Sequence, residues 1–180
     1  APPVPVRVTR EEAGVTLTNG PLRLQLVPGA PRMRAILDFD ADGDESFSTD
    51  ERVSDALELW QRPHDAGTAP EEMVVEEEGP VKAVILLRGR FGEDSGKDCL
   101  SYQLRLTLWA GIPAIGIDHT FIQDTGKVFI DVDEVSIDIR LPAEPKTARF
   151  QGLTAAGDRS FELSGDQSVR LLQVGPGRPQ

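Results

Sequence analysis

Apolar and polar residues alternate along much of this chain, and the alternation predicts a protein built from β-strands. In the clearest case, residues 99–109, the apolar positions are Leu100, Tyr102, Leu104, Leu106 and Leu108. A period of two places these side chains on one face of a half-buried strand. The stretch Val81–Phe91 is apolar almost throughout, which predicts a strand in the centre of a sheet.

Shorter segments with a similar pattern are separated by Gly, Pro and Asn. The predicted strands are 14–20, 21–27, 32–39, 72–78, 114–122, 128–141, 148–152, 160–163 and 169–174. Asn19-Gly20, between the first two, predicts a hairpin turn. Residues 53–60 fit a helix or a strand. We expect a short helical turn after Thr49 and then a strand from about Ala56.

These elements predict an all-β fold with antiparallel strands and little helix, arranged as a barrel or a sandwich. The length of 180 residues fits one domain. We assign that β domain to residues 1–174, with 175–180 as a tail or linker. No apolar run approaches the ~18 residues needed to cross a membrane, so membrane insertion is not expected.

The charged residues are unevenly distributed, because the acidic residues are concentrated in one part of the chain. The formal net charge is -11, which argues against nucleic acid or an anionic membrane surface as a partner. Residues 38–78 hold 15 acidic residues and two arginines. A bound divalent cation would relieve part of this local repulsion.

Cysteine usage bears on the cellular compartment. Cys99 is the single cysteine, so an internal disulfide is excluded. A single cysteine fits a cytosolic protein, and it also fits a secreted bacterial protein that uses calcium in place of disulfides. The opening Ala1-Pro-Pro-Val-Pro5 resembles a mature N-terminus left by signal-peptide cleavage, or it marks an artificial boundary. Of the two compartments, secretion is the expectation.

The acidic stretch Asp38–Glu51 carries the most specific chemistry in the chain. It reads Asp-Phe-Asp-Ala-Asp-Gly-Asp-Glu-Ser-Phe-Ser-Thr-Asp-Glu. An EF-type calcium loop places oxygen ligands at positions 1, 3, 5, 7, 9 and 12, with a turn glycine at position 6. All donors here are hard oxygens, and no cysteine or histidine pair is nearby, so Ca²⁺ is expected rather than zinc. We expect the ion to be structural, since one isolated loop has no partner loop with which to act as a sensor.

Two registers compete for this loop. Starting at Asp38 places Gly43 at position 6 but leaves poor residues at positions 8 and 12. Starting at Asp40 is preferred, because it places Glu51 at the distal bidentate position. Its defect is Glu45 at position 6, where a side chain on left-handed backbone costs about 1 kcal/mol. The registers can also merge, so the predicted metal ligands are Asp38, Asp40, Asp42, Asp44, Ser46, Ser48 and Glu51.

Other titratable residues are predicted to be structural, and no catalytic residue is assigned. His119 shares a strand face with Ile117 and Phe121, which favours packing over catalysis. His64 lies in a polar loop without a placed partner. Three acidic residues that alternate with apolar residues are expected on the solvent-exposed face of a strand, with a second cation site as the alternative. They are Asp131, Asp133 and Asp138.

Aromatic residues and motifs do not add a catalytic site. Trp60, Tyr102 and Trp109 are expected in the core or at a pocket rim, with a sugar-stacking platform as the alternative. The sequence contains no Ser/His/Asp set, phosphate loop or metalloprotease helix.

Residues 79–122 resemble a known family. The matching segments are Gly79-Pro-Val-Lys-Ala-Val84, Arg88-Gly-Arg90 and Tyr102–Ile122. They are similar to the N-terminal RIFT-barrel domain of the exo-rhamnogalacturonan lyase/YetA-like family. In such proteins this domain precedes a central β-sandwich and a helical toroid, and the assembly acts on pectin-type polysaccharide. The resemblance implies a barrel and a carbohydrate-related role; the acidic loop looks like a local addition.

The expected function is a non-catalytic, calcium-stabilised module of an extracellular, polysaccharide lyase-like protein whose catalytic part is absent from this chain. Expected partners are polysaccharide, or neighbouring domains or subunits. The alternative is a structural subunit of an extracellular surface or filament assembly that uses the same barrel and calcium for rigidity. An independent enzyme is the third and least favoured interpretation.

Overall fold

The computed structural model describes residues 3–12, 14–28, 34–62, 69–92, 99–140, 147–150 and 159–162. The chain divides into two compact units, Ala1–Arg140 and Leu141–Gln180, where the sequence predicts one domain up to residue 174. The predicted strand at 169–174, the tail at 175–180 and His64 lie outside the described residues.

The first sheet of the larger unit has five antiparallel strands paired in sequence order. They are β1 (Arg7–Glu11), β2 (Gly14–Thr18), β3 (Leu22–Val27), β4 (Arg34–Phe39) and β5 (Arg52–Ser54). Alternation in β3 buries Leu22, Leu24 and Leu26, as the pattern predicts. The sequence does not predict β1, because this edge strand is largely exposed and lacks a buried face that would impose alternation.

The second sheet has four antiparallel strands in the order β10-β9-β8-β7. They are β7 (Glu72–Glu78), β8 (Lys82–Arg90), β9 (Ser101–Trp109) and β10 (Ile115–Ile122). The apolar run of β8 reflects burial on both faces, since Ile85 and Leu86 are neighbours on opposite faces and are 0% and 1% exposed. The prediction of a central strand here is confirmed.

Smaller elements complete the two units. A 3-10 turn, Thr49–Glu51, confirms the predicted helical turn before β5. β6 (Ala56–Arg62) pairs with β11 (Glu134–Arg140) in the larger unit, and β12 (Thr147–Phe150) pairs with β13 (Arg159–Glu162) in the smaller one. The prediction of one long strand over 128–141 is wrong for residues 128–133, which are not in strand conformation. Among the described residues, no helix has the length and apolar character to span a bilayer.

The larger unit is an antiparallel sandwich. Leu17, Leu24 and Leu26 of the first sheet share one hydrophobic core with Ile85 and Leu104 of the second. The all-β antiparallel prediction is therefore confirmed, whereas the expected closed RIFT-type barrel is wrong. A barrel needs a hydrogen-bonded ladder that joins its last strand to its first, and the described strands form separate, open sheets.

Asn19 joins the two sheets at one end of the sandwich. It follows β2, is 0% exposed, and its amide nitrogen donates to the carbonyl oxygens of Trp109 and Ile112 at 2.8 Å each. Its side-chain oxygen accepts from the backbone nitrogen of Leu22 at 2.9 Å. Since the Asn19 carbonyl also accepts from Gly111 at 2.8 Å, the β2–β3 turn is fixed to the turn after β9.

Replacing Asn19 with Ala should destabilise the sandwich by about 3 kcal/mol, because buried backbone groups of both turns lose their partners. Urea unfolding measures this change. The control is Gln25→Ala, which removes a partly exposed amide from β3 and should change stability by less than about 0.5 kcal/mol. Equal effects of the two substitutions would show that Asn19 does not join the sheets.

Candidate metal centre

The acidic loop connects β4 to β5, and a buried ion pair fixes the two strands at its ends. Asp38 of β4 is the cross-strand neighbour of both Arg23 of β3 and Arg52 of β5. Its carboxylate is 0% exposed. It accepts from Arg23 Nε at 2.9 Å and from Arg52 Nε at 3.2 Å. Asp38 is therefore part of the sheet, with its charge balanced by two guanidinium groups.

Arg23 also holds the far side of the loop. Its Nη2 donates to the carbonyl oxygen of Phe47 at 3.4 Å, and its guanidinium carbon lies 4.7 Å from the centre of the Phe47 ring. A guanidinium over an aromatic face is an attractive arrangement. Phe47 is the partly buried residue of an otherwise exposed stretch, 41–50. The loop is thus attached to β3 both at Asp38 and at Phe47.

Three carboxylates converge within this loop. One oxygen from each of Asp40, Asp42 and Asp44 lies within 4.8 Å of the others. Backbone hydrogen bonds curl the chain to bring them together. The two Asp40 oxygens accept from the backbone nitrogens of Gly43, at 2.7 Å, and Glu45, at 3.0 Å, and Asp42 accepts from that of Asp44 at 3.2 Å.

The remaining predicted ligands are bonded within the same loop. Ser46 donates to Asp44 from its backbone nitrogen at 2.8 Å and from its hydroxyl at 2.7 Å. Glu51 accepts from the backbone nitrogens of Ser48 and Ala41, at 2.8 Å each. The hydrogen bonds from Ser46 lower the pKa of Asp44, and those from Ser48 and Ala41 lower the pKa of Glu51. Both groups are therefore held as carboxylates, the form that a hard cation binds.

Backbone conformation at position 6 fits both registers of the loop, because Gly43 holds that position when the loop starts at Asp38 and Glu45 holds it when the loop starts at Asp40. Glu45 has a φ of 62°, and Gly43 two residues earlier has a φ of 77°. Among the described non-glycine residues, Glu45 is the one with a positive φ. A left-handed backbone is what the loop requires at position 6, although Glu is an unfavourable residue there.

The structure brings together part of the predicted ligand set. Asp40, Asp42 and Asp44 form the cluster, and Ser46, Ser48 and Glu51 contact the loop through hydrogen bonds. Asp38 is directed to the two arginines instead. Sequence reasoning missed Arg23 and Arg52, because opposite charges on successive strands become informative only when the strand register is known.

The other residues weighed from the sequence belong to other elements of the fold. His119 packs edge-on against Phe91 and Phe121, with ring centroids 6.1 and 6.4 Å apart. Burial lowers the pKa of His119, which disfavours its charged form. Tyr102 is a core residue, and burial raises its pKa to about 12. Asp131 and Asp133 are exposed in the segment before β11, and Asp138 is exposed within that strand.

Replacing Asp38 with Asn should lower stability by about 3 kcal/mol, because both arginines lose a buried counter-charge. Denaturant unfolding in EDTA measures the loss without metal. Asp50→Asn is the control, since it removes the same charge from an exposed position of the loop and should change stability by less than about 0.5 kcal/mol. A change of that small size in Asp38→Asn would contradict its role as an anchor.

Replacing Glu45 with Gly should raise stability by about 1 kcal/mol, because glycine adopts a positive φ without a steric cost. Glu45→Ala removes the same charge but keeps the Cβ atom, so it should give no such gain. The difference between the two midpoints of unfolding isolates the backbone contribution. Identical midpoints would argue against a left-handed residue 45.

Comparisons with known proteins agree with the sandwich architecture. Residues 6–149 match the family model described as the PcRGLX-like protein central beta sandwich domain. A segment of 80 residues is 34% identical to YetA from Bacillus subtilis (strain 168); it covers 43% of this chain and 9% of that protein. The family expected from 79–122 is confirmed, but the match is to its central sandwich and not to its N-terminal RIFT barrel. The chain belongs to the PcRGLX-like central β-sandwich domain family.

Proposed function

We propose that this domain is a non-catalytic, calcium-stabilised module of an extracellular protein that acts on or binds polysaccharide. Membership of a rhamnogalacturonan lyase-like family marks it as a carbohydrate-related module. The calcium part of the proposal rests mainly on the convergence of Asp40, Asp42 and Asp44 within 4.8 Å of one another.

The donor set favours calcium over other metals. The cluster offers carboxylate oxygens, the backbone carbonyl of Ser46 falls at the seventh position, and Glu51 falls at the twelfth. A flexible shell of six to eight oxygens is typical of Ca²⁺. Zinc prefers nitrogen and sulfur ligands, which the loop lacks, since Asp40–Glu51 contains neither histidine nor cysteine.

A bound cation would stabilise the loop by relieving repulsion. Asp42 and Asp44 are exposed and close together, and like charges at short range oppose the closed loop. A cation held between the two carboxylates attracts both of them and so offsets their mutual repulsion. Because the ion binds the folded chain and not the unfolded one, its binding adds directly to folding stability. Extracellular calcium modules work at dissociation constants of about 10⁻⁴–10⁻³ M, and the unfavourable Glu45 fits that weaker class.

An apolar cavity in the sandwich is consistent with the proposed non-catalytic role. A cavity of about 320 Å³ lies between the sheets, and its lining residues are apolar except for Ser54. Leu24, Leu57 and Ile117 are typical of this lining. A catalytic pocket combines apolar walls with convergent polar or titratable groups, and the described residues that line this cavity supply no acid or base.

Calcium at ~100 times its dissociation constant should add about 2.7 kcal/mol to the stability of the chain. For a protein of this size the melting temperature should rise by about 5–10 °C over that in EDTA. Thermal unfolding followed by circular dichroism measures the shift, with NaCl of equal ionic strength as the salt control. An unchanged midpoint at saturating calcium would reject the calcium site.

A matched pair of variants assigns the shift to the loop. Asp42→Ala removes a member of the cluster and should abolish the calcium-induced rise. Asp50→Ala removes the same charge from the same loop but from outside the cluster, so most of the rise should remain. Equal losses in the two variants would point to charge screening in place of a specific site.

A further inference from the structure

The outer face of the four-stranded sheet, on the side away from the core cluster, carries polar side chains and one tryptophan around a buried centre formed by Val84, Leu86 and Thr107. The residues of β9 on this face are Ser101, Gln103, Arg105, Thr107 and Trp109. Their neighbours Tyr102, Leu104, Leu106 and Leu108 point into the core and are buried. The two faces thus have different chemistry, and Tyr102 and Trp109 lie on opposite sides of the sheet.

The indole of Trp109 lies over the neighbouring strand β10 at Gly116, the position where that strand has no side chain. A Cβ atom added to Gly116 would stand 2.6 Å from Cη2 and 3.1 Å from Cζ3 of the indole, and 3.4 Å from Cβ of Thr107. The six-membered ring therefore packs on the backbone of β10. Trp109 remains partly exposed, so part of the residue is accessible to a ligand.

A ring held in this way is suited to stack on a sugar. One face of a pyranose ring presents C–H bonds, whose positive polarisation complements the negative face of an aromatic ring. The backbone contact also fixes the indole in advance, so that little side-chain freedom is lost on binding.

Ion pairs on the same face of the sheet supply fixed hydrogen-bonding groups. Lys82 is the cross-strand neighbour of Trp109, and its Nζ lies 2.7 Å from Glu77 Oε2. Further along β9, Arg105 donates to both carboxylate oxygens of Glu76, at 2.7 and 3.0 Å. Arg105 is about 13 Å from Trp109 along the strand, so a short oligosaccharide can reach both, whereas one sugar ring cannot.

The charges on this face favour a neutral ligand. Each of the four cations on the outer face of β8 and β9 is ion-paired with a carboxylate: Lys82–Glu77, Arg88–Glu72, Arg90–Asp124 and Arg105–Glu76. Asp118, the cross-strand neighbour of Arg105, adds a further negative charge. A uronate would have to displace one of these carboxylates, whereas sugar hydroxyls can donate to them and accept from the cations.

We propose that this face binds neutral hexopyranose units of a polysaccharide, with Trp109 as the stacking platform and the Lys82–Glu77 and Arg105–Glu76 pairs as hydrogen-bonding partners. The site rests on the proposed carbohydrate-related function and specifies where on the module the sugar binds and which class it belongs to. Gly116 is a positioning residue, because it leaves the space in which the indole lies.

The test is a calorimetric titration of the whole chain with neutral tetrasaccharides of galactose, glucose and mannose, and with tetragalacturonate. At least one neutral tetrasaccharide should bind, and more tightly than tetragalacturonate. Trp109→Ala should lower its affinity about tenfold or more. Gly116→Ala keeps the indole but displaces it, and should cause a similar loss. Trp60→Phe, in β6, is the control and should bind as the unmodified chain does.

Thermal melts of all variants show whether each is folded, and the indole N–H signal of Trp109 in NMR spectra should shift with the neutral sugar. The proposal is overturned if no neutral tetrasaccharide binds, if tetragalacturonate binds more tightly, or if both variants retain full affinity. The calcium proposal is judged separately by the calcium-dependent melting shift. A normal shift without sugar binding rejects this site alone, and sugar binding without a shift rejects the calcium site alone.

Discussion

The buried carboxylate of Asp38, held between Arg23 and Arg52, is the interaction on which the acidic loop depends. It joins β3, β4 and β5 in one row of cross-strand neighbours and so closes the two ends of the loop. A buried charge is tolerated when it is paired and hydrogen-bonded, and its partners become costly when it is lost. Because the Asp38 carboxylate is bonded to the two arginines, the cluster of convergent acids begins at Asp40.

With its ends fixed, the loop takes its shape from hydrogen bonds between its own backbone nitrogens and carboxylate side chains. Asp40 accepts from two backbone nitrogens of the turn, and Glu51 links the start of the loop to its end. These bonds bring Asp42 and Asp44 close together in spite of their charge. Preorganisation of this kind reduces the entropy that a bound ion must overcome, and the strained backbone at Glu45 is a local cost of the closed form.

The alternation of apolar and polar residues predicts the individual strands of this fold better than it predicts how those strands pair into sheets. Alternation locates β3 and β9 because each has one buried face, but it misses the exposed edge strand β1 and extends β11 over 128–133. The choice between sandwich and barrel depends on whether edge strands pair, which no single segment encodes. Likewise, the acid spacing predicts Asp40, Asp42 and Asp44 as a group, whereas the pairing of Asp38 with Arg23 becomes visible only in the strand register.

A calcium titration of the ¹⁵N-labelled chain followed by NMR tests the central claim most directly. A specific site predicts that the amide signals of Gly43 and Glu45, which are bonded to Asp40, shift and saturate together at one ion per chain. The signals of β8 and β9 should stay in place. Signals of residues 40–51 that do not move at millimolar calcium, or that drift without saturation together with the rest of the spectrum, would contradict a calcium site in this loop.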